Sequence, residues 1–201
     1  MSQTIAGTRS WPVRMVPKDL GVALVVLAAL ALGGLLRWQV EGATTTFQDQ
    51  GSPFRIDYPA RWVSTGLPQG AILGVEDPRT DSAFKTTLTA ESRELDPAGQ
   101  PEVQGLVDRR VQQHSALTGY RLLTSREATV YGARGARLEY AYVAQPIDEP
   151  GRLALPVVVQ AREYVVVTAE RIFYLTLAAP QHEFADAAAR FEGMIAKVNV
   201  Q

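Results

Sequence analysis

Cysteine is absent from this 201-residue sequence, and histidine occurs only at His114 and His182. The first absence excludes disulfides, thiolate metal sites, thiol catalysis and an acylated lipoprotein cysteine. The second leaves little imidazole for acid–base work or metal binding. Neither sign of charge prevails, with 20 Lys plus Arg facing 21 Asp plus Glu. Setting aside Arg9, Arg14, Lys18, Arg37 and Asp19 leaves 16 basic against 20 acidic residues from Gln39 onward. Nucleic acid, which wants a basic face, is therefore not expected as a partner. No G-x-S-x-G elbow, phosphate loop, dinucleotide fingerprint, internal repeat or low-complexity tract occurs. The expectation is a protein that is not an enzyme and carries no cofactor.

What the chain does have is an uncharged run, Leu20–Leu36 (LGVALVVLAALALGGLL), between Lys18-Asp19 and Arg37-Trp38. As a helix these seventeen residues reach roughly 26 Å, close to the hydrocarbon thickness of a bilayer. Snorkelling Lys18 and Arg37 and an interfacial Trp38 supply the rest. Arg9, Arg14 and Lys18 precede the run, so positive charge favours a cytoplasmic N-terminus and an extracytoplasmic C-terminal part. A cleavable signal would have an apolar core of about 7–15 residues and a small-x-small site. The nearest such site, Glu41-Gly42-Ala43, carries a carboxylate at its first small position, so an uncleaved single-pass anchor in the cell membrane is the expected reading. The organisation expected is a cytoplasmic tail (1–19), a transmembrane helix (20–38), a polar linker (39–52) and an exported domain (53–201).

Within that domain the residue periods switch between strand and helix. Phe54–Tyr58 alternates and stops at Pro59, which has no N–H for a ladder. Ala71–Glu76 reads as a second strand, followed by a turn at Asp77–Asp81. Phe84, Thr86, Leu88 and Ala90 share one face of a third. Pro101–Leu117 changes to a helical period, with Val103, Leu106, Val107, Val111 and Leu117 on one arc and Gly119 as its stop. Strands Tyr120–Val130 and Ala136–Val143 flank a turn at Gly132–Gly135. Gln145–Leu155 is a loop, and Val157–Thr168 with Arg171–Leu177 makes a second hairpin. Glu183–Val198 is an amphipathic helix with Phe184, Ala188, Phe191, Ile195 and Val198 on its stripe, acids first and Lys197 last. With no parallel βαβ repetition, the fold class is α+β, an antiparallel sheet flanked by helices.

Three segments carry a resemblance. Phe54-Arg55-Ile56-Asp57-Tyr58-Pro59-Ala60-Arg61-Trp62 fits the opening F-x-I-x-Y-P-x-x-W of the PsbP-like family, named for an extrinsic lumenal protein of photosystem II. Gly135–Tyr140 resembles that family's G-x-x-A-x-x-L-x-Y hairpin, with Gly132 as the leading glycine, and Tyr174–Pro180 follows in order before the C-terminal helix. The resemblance spans Phe54–Val198. It implies an α/β/α sandwich, with Trp62 closing one end of the core, that acts as an accessory subunit of a larger membrane complex. Photosynthetic or respiratory complexes of bacteria are the class it points to. The family's metal-binding histidines and acidic sites have no positional counterpart here.

Each candidate chemical group has a plainer structural reading. His114 falls on the apolar arc of its helix and reads as a satisfied core histidine. His182 precedes Glu183, but a zinc-peptidase motif needs a second histidine one turn on, where Asp186 stands. Asp77 and Asp81 flank a tight turn; calcium wants six or more oxygens, which the neighbourhood does not supply. Glu139, Glu163 and Glu170 lie opposite Arg137, Arg162 and Arg171, as ion pairs on a solvated sheet face would. In the anchor, Ala29 and Gly33 with adjacent Gly34 form a small-residue notch for a partner helix, and Arg37 and Trp38 close the span. The partners expected are the lipid bilayer and other membrane subunits. The alternative is a tethered module holding a lipid, pigment or other small apolar ligand beneath His114 and Tyr140.

Overall fold

The structure, a computed structural model, describes residues 17–95, 102–145 and 155–200. It divides into two units, Met1–Ala43 and Thr44–Gln201. The first contains helix α1 (Pro17–Glu41), opened by a proline whose missing N–H costs nothing at that position. Of its side chains, those of residues 21–35 are described, and all are exposed. Among the described residues no helix is long and apolar enough to cross a membrane. The expected tail at 1–19 falls, up to residue 16, outside the described residues, as do 146–154 of the expected loop.

The second unit is an α+β sandwich built on one antiparallel sheet. Its strands are β3 (Val63–Ser64), β4 (Ala71–Asp77), β5 (Thr86–Glu94), β6 (Arg121–Val130), β7 (Ala133–Ala144), β8 (Val157–Val167) and β9 (Arg171–Pro180). They lie in the order β3-β4-β5-β9-β8-β7-β6. Because side chains alternate along each strand, β9 sends Phe173, Leu175, Leu177 and Ala179 to one face and Ile172, Tyr174 and Ala178 to the other. The first face is covered by helix α3 (Phe184–Ile195) through Phe184, Ala188, Phe191 and Ile195, the stripe read from the sequence. The opposite face is covered by helix α2 (Val103–His114) through Leu106 and Val107.

The expected linker 39–52 is corrected. Residues 39–41 complete α1, and Thr44–Gln48 forms strand β1, paired in register with β2 (Arg55–Pro59) from Thr44↔Pro59 to Gln48↔Arg55. Three β-branched threonines favour an extended chain, and Phe47 packs on Phe54 at 6.2 Å between ring centroids, so polar composition masked a strand. What is left between α1 and β1 is Gly42 and Ala43. Ile56, Phe54 and Trp62 enter the α3-side core as the motif reading implied. The two ends of the domain are stitched together: Arg55 and Asn199 exchange both backbone hydrogen bonds at 2.9 Å, beside fully buried Val198.

The glycine turn also moves. Val130 pairs directly with Ala133, so the turn is Tyr131-Gly132, both with positive φ (49° and 78°), the geometry of a two-residue hairpin. Gly135 instead sits inside β7, where a Cβ would come 2.1 Å from the Val165 carbonyl oxygen. Helix α2 stops at His114, with Gly119 (φ 65°) in the following turn, and α3 ends before Lys197. Replacing Gly135 by alanine is expected to cost at least about 2 kcal/mol, because backbone must move to admit the methyl. Gly105→Ala, in open space on α2, is expected to stabilise by about 0.5–1 kcal/mol. Urea denaturation of both variants checks the pair.

Candidate functional site

The chemistry-bearing residues gather where α2 meets the sheet. Glu163 projects from β8 between Ala161 and Val165 on the α2 face and is 0% exposed. Its two oxygens are both engaged by α2. Oε1 accepts from Arg110 Nε at 2.6 Å, and Oε2 lies 2.8 Å from His114 Nε2. Arg110 turns the rest of its guanidinium to Glu91 of β5, at 2.9 and 3.3 Å. The same group lies over the Tyr174 ring at 4.4 Å. Burial alone would lower the Arg110 pKa, but the Glu163 and Glu91 carboxylates raise it above its ordinary value. One helix is thus held to two strands by charge-assisted bonds in a dry place.

Around this ionic knot runs an aromatic wall. The His114 imidazole stacks on Tyr140 at 4.5 Å, and Tyr140 neighbours Tyr120 at 5.6 Å and Tyr142 at 6.2 Å. Phe84 meets Tyr142 edge-on at 6.4 Å. This is where the apolar-ligand reading placed its pocket, and the stacked rings leave no gap between His114 and Tyr140. A separate cleft of about 250 Å³ opens at the other end of the sheet, between Pro53, Val200 and the Thr168–Arg171 turn.

The other candidates resolve as follows. Glu163 is corrected from a solvated sheet face to full burial, because α2 lies over it. Glu139 does pair across the strands, with Arg162 at 2.8 Å, in a network that joins Arg162 and Arg137 to Glu192 of α3. Tyr164 donates to the same Glu192 at 2.7 Å. Arg171 reaches Glu94, not Glu170. Asp77 is buried and accepts from Arg61 at 3.2 Å and the Arg79 N–H at 3.1 Å. Burial pulls its carboxyl up, yet those donors hold it below its ordinary value. Asp81 points its N–H to Glu183. Among the described residues no cluster of three His, Asp or Glu side chains is placed to hold a metal. His182 is exposed beside Glu183 at 3.5 Å. Ala29, Gly33 and Gly34 lie in the exposed part of α1, and a Cβ on either glycine would meet nothing within 4 Å. Arg37 and Trp38 belong to α1, with side chains outside those described.

Arg110 and Glu91 were not singled out from the sequence. The signal existed: Arg110 is three residues from Val107, four from Leu106 and four from His114, on the apolar arc.

With seven antiparallel strands between helices α2 and α3, the domain is an α/β/α sandwich. No protein-family model matches the chain, and no curated protein matches it in sequence. Among solved structures, it is similar to cyanobacterial PsbP (CyanoP) from Synechocystis sp., at 12% identity and a TM-score of 0.60 over 79% of this chain and 93% of that one. It is also similar to LpqN of Mycobacterium tuberculosis, involved in cell envelope biogenesis, at 14% identity and a TM-score of 0.57 over 78% of this chain and 90% of that one. At such identities the likeness is one of fold.

Two outcomes test the site. Glu163→Gln removes the charge that Arg110 and His114 share and is expected to destabilise by about 3 kcal/mol. The double variant Arg110→Met, Glu163→Leu is expected to recover most of that, since the buried pair is removed together and Glu91 keeps Arg93 at 3.6 Å. Thermal unfolding of the three proteins decides it. The tyrosines set a second test. Burial pushes Tyr142 up to about 12, and burial with the Glu192 bond does the same for Tyr164. Tyr140 is raised well above 10 by burial and by the Glu163 charge. In this alkaline window the unfolded chain loses protons that the folded chain keeps, so stability is intact below pH 10 and falls between pH 10 and about 12. Phenolate absorbance is expected to rise together with unfolding.

Proposed function

We propose that this protein is a single-pass, membrane-anchored accessory subunit whose PsbP-like domain stands on the extracytoplasmic side and docks on a larger membrane complex. One observation carries the reading. Along α1, Val22, Leu24, Val25, Val26, Leu27, Leu30, Leu32 and Leu35 are 51–68% exposed, and at 100° per residue they point in every direction around the axis. A helix that is apolar all round, and not on one stripe, calls for an apolar surrounding on all sides. No Asp, Lys or Arg interrupts residues 20–36, each of which would cost about 2.5–3.5 kcal/mol at a bilayer centre. The basic residues before the run support an N-terminus in the cytoplasm.

An accessory role suits the buried ionic cluster described on the α2 face, where both oxygens of Glu163 are engaged by Arg110 and His114 of the same domain. The similar fold of LpqN, a protein involved in cell envelope biogenesis, agrees with work at the envelope. PsbP-like relatives make photosynthetic or respiratory assemblies the class to search, with Ala29, Gly33 and Gly34 as the notch where a partner helix would pack.

Full-length protein is expected to stay in the membrane pellet through an alkaline carbonate wash. Leu27→Arg with Leu30→Arg, two charges of about 3 kcal/mol each, is expected to release it. External protease on spheroplasts is expected to digest the domain, and mild detergent to release it in company with a large complex. Wild-type protein in the wash supernatant overturns the anchor, and a protected domain overturns its extracytoplasmic placement. A lone monomer after mild solubilisation overturns the docking role.

A further inference from the structure

We infer that the end of the domain from which its tether leaves rests on the bilayer surface, with Leu123, Leu155 and Val158 seated at the lipid headgroups. This rests on the anchor proposed above. Only Gly42 and Ala43 separate the last residue of α1 from the first of β1. Three Cα steps reach at most about 11 Å, whatever angle the helix and the domain adopt. The apolar run ends at Leu36, so the helical residues 37–41 add about 7.5 Å, and Thr44 is held within about 19 Å of the hydrocarbon boundary.

The register shows which end of the domain is held close. Thr44 pairs with Pro59, and the Pro59 carbonyl accepts from the Trp62 N–H, one residue before Val63. From Val63 a single row crosses the sheet through Glu76, Thr87, Ala178, Ala161 and Tyr140 to Leu122. Beyond that row lie the last residues of β4, β7 and β9 and the first of β6 and β8. The β1–β2 hairpin starts and finishes at this same end, since its other end, at Pro53, sits by the Thr168–Arg171 turn.

The exposed apolar side chains are concentrated there. Among the described residues of Thr44–Gln201, seven large hydrophobic side chains are exposed. Five border the tether end, between 39% and 82% exposed: Leu155 and Val158 beyond the row, Val63 and Leu122 on it, and Leu123 in the β6 irregularity just inside it. The far end has Tyr131 alone, at the β6–β7 turn, and Leu67 lies in the loop between β3 and β4. Single exposed hydrophobics need no account, but their gathering at the one end that the chain holds beside lipid does. Chain length selects lipid as the occupant, because it brings the bilayer within reach of this end before any subunit arrives. Described charges at this end include Arg79, Lys85 and Arg121 with Asp81 and Glu183, both signs, so contact is apolar and suits a zwitterionic surface.

The absence of cysteine makes the test clean. Single variants Leu27→Cys, Leu123→Cys, Leu155→Cys, Val158→Cys and Tyr131→Cys of the full chain are labelled with an environment-sensitive fluorophore. They are reconstituted in phosphatidylcholine vesicles with and without spin-labelled lipid. Labels at 123, 155 and 158 are expected to shift to the blue and to be quenched about twofold more than at 131, as shallow burial in the headgroup boundary requires. The label at 27 is expected to be quenched most. Quenching at 27 with 123, 155 and 158 behaving like 131 overturns this inference and leaves the anchor standing. No quenching at 27 overturns the anchor and the inference with it. Blue-shifted labels at 123, 155 and 158 without lipid quenching report a protein cover and overturn the lipid assignment.

Discussion

A carboxylate with no exposed surface organises one side of this domain. Taking Glu163 out of water is costly, and it is tolerable because Arg110 and His114 each give it a short bond from the same helix. Arg110 could not be buried without Glu163 and Glu91, and His114 could not stack on Tyr140 unless α2 lay where Arg110 puts it. The position of α2 on the sheet, and the aromatic wall beyond it, follow from that exchange. The α3 face needs no such device. Phe54, Phe173 and Phe191 fill it, with Phe54 stacked on Phe173 at 5.4 Å, and Glu192 ties α3 to Arg162 and Tyr164 only at the margin. One layer is oriented by charge and the other by apolar volume.

Much of this was legible beforehand, for identifiable reasons. The alternation in β5 and the stripe of α3 survive because each has one face against a core, which writes its period into the residues, whereas β9 is covered on both faces and reads as a continuous apolar run. β1 was missed because Thr44-Thr45-Thr46 is polar and mostly exposed, so pairing with β2 leaves little apolar trace beyond Phe47. β3 was missed because two residues carry no period at all. Gly132 and Gly135 looked like one turn; only the facing backbone of β8 separates a glycine needed for positive φ from one needed for close approach.

The ionic knot was half legible. His114 was read as a satisfied core histidine, and its bond to Glu163 satisfies it. Glu163 was placed at the surface because a charged residue between hydrophobic neighbours usually compensates by facing water, and local sequence cannot reveal a guanidinium fifty-three residues away. The rule that buried acids have buried partners works in reverse here: Arg110 on an apolar arc was the sign that an acid waited opposite.

The seam between Arg55 and Asn199 has a consequence for biosynthesis. The first strands of the domain leave the ribosome early, yet the edge that β2 needs is supplied by Asn199, which follows the last helix. Val198 and Val200 join Phe54 and Phe173 in one core, so that core cannot close until the segment after α3 has been made. Synthesis of that short segment thereby becomes the trigger for folding, because everything before it is an open chain that lacks one edge of its own core.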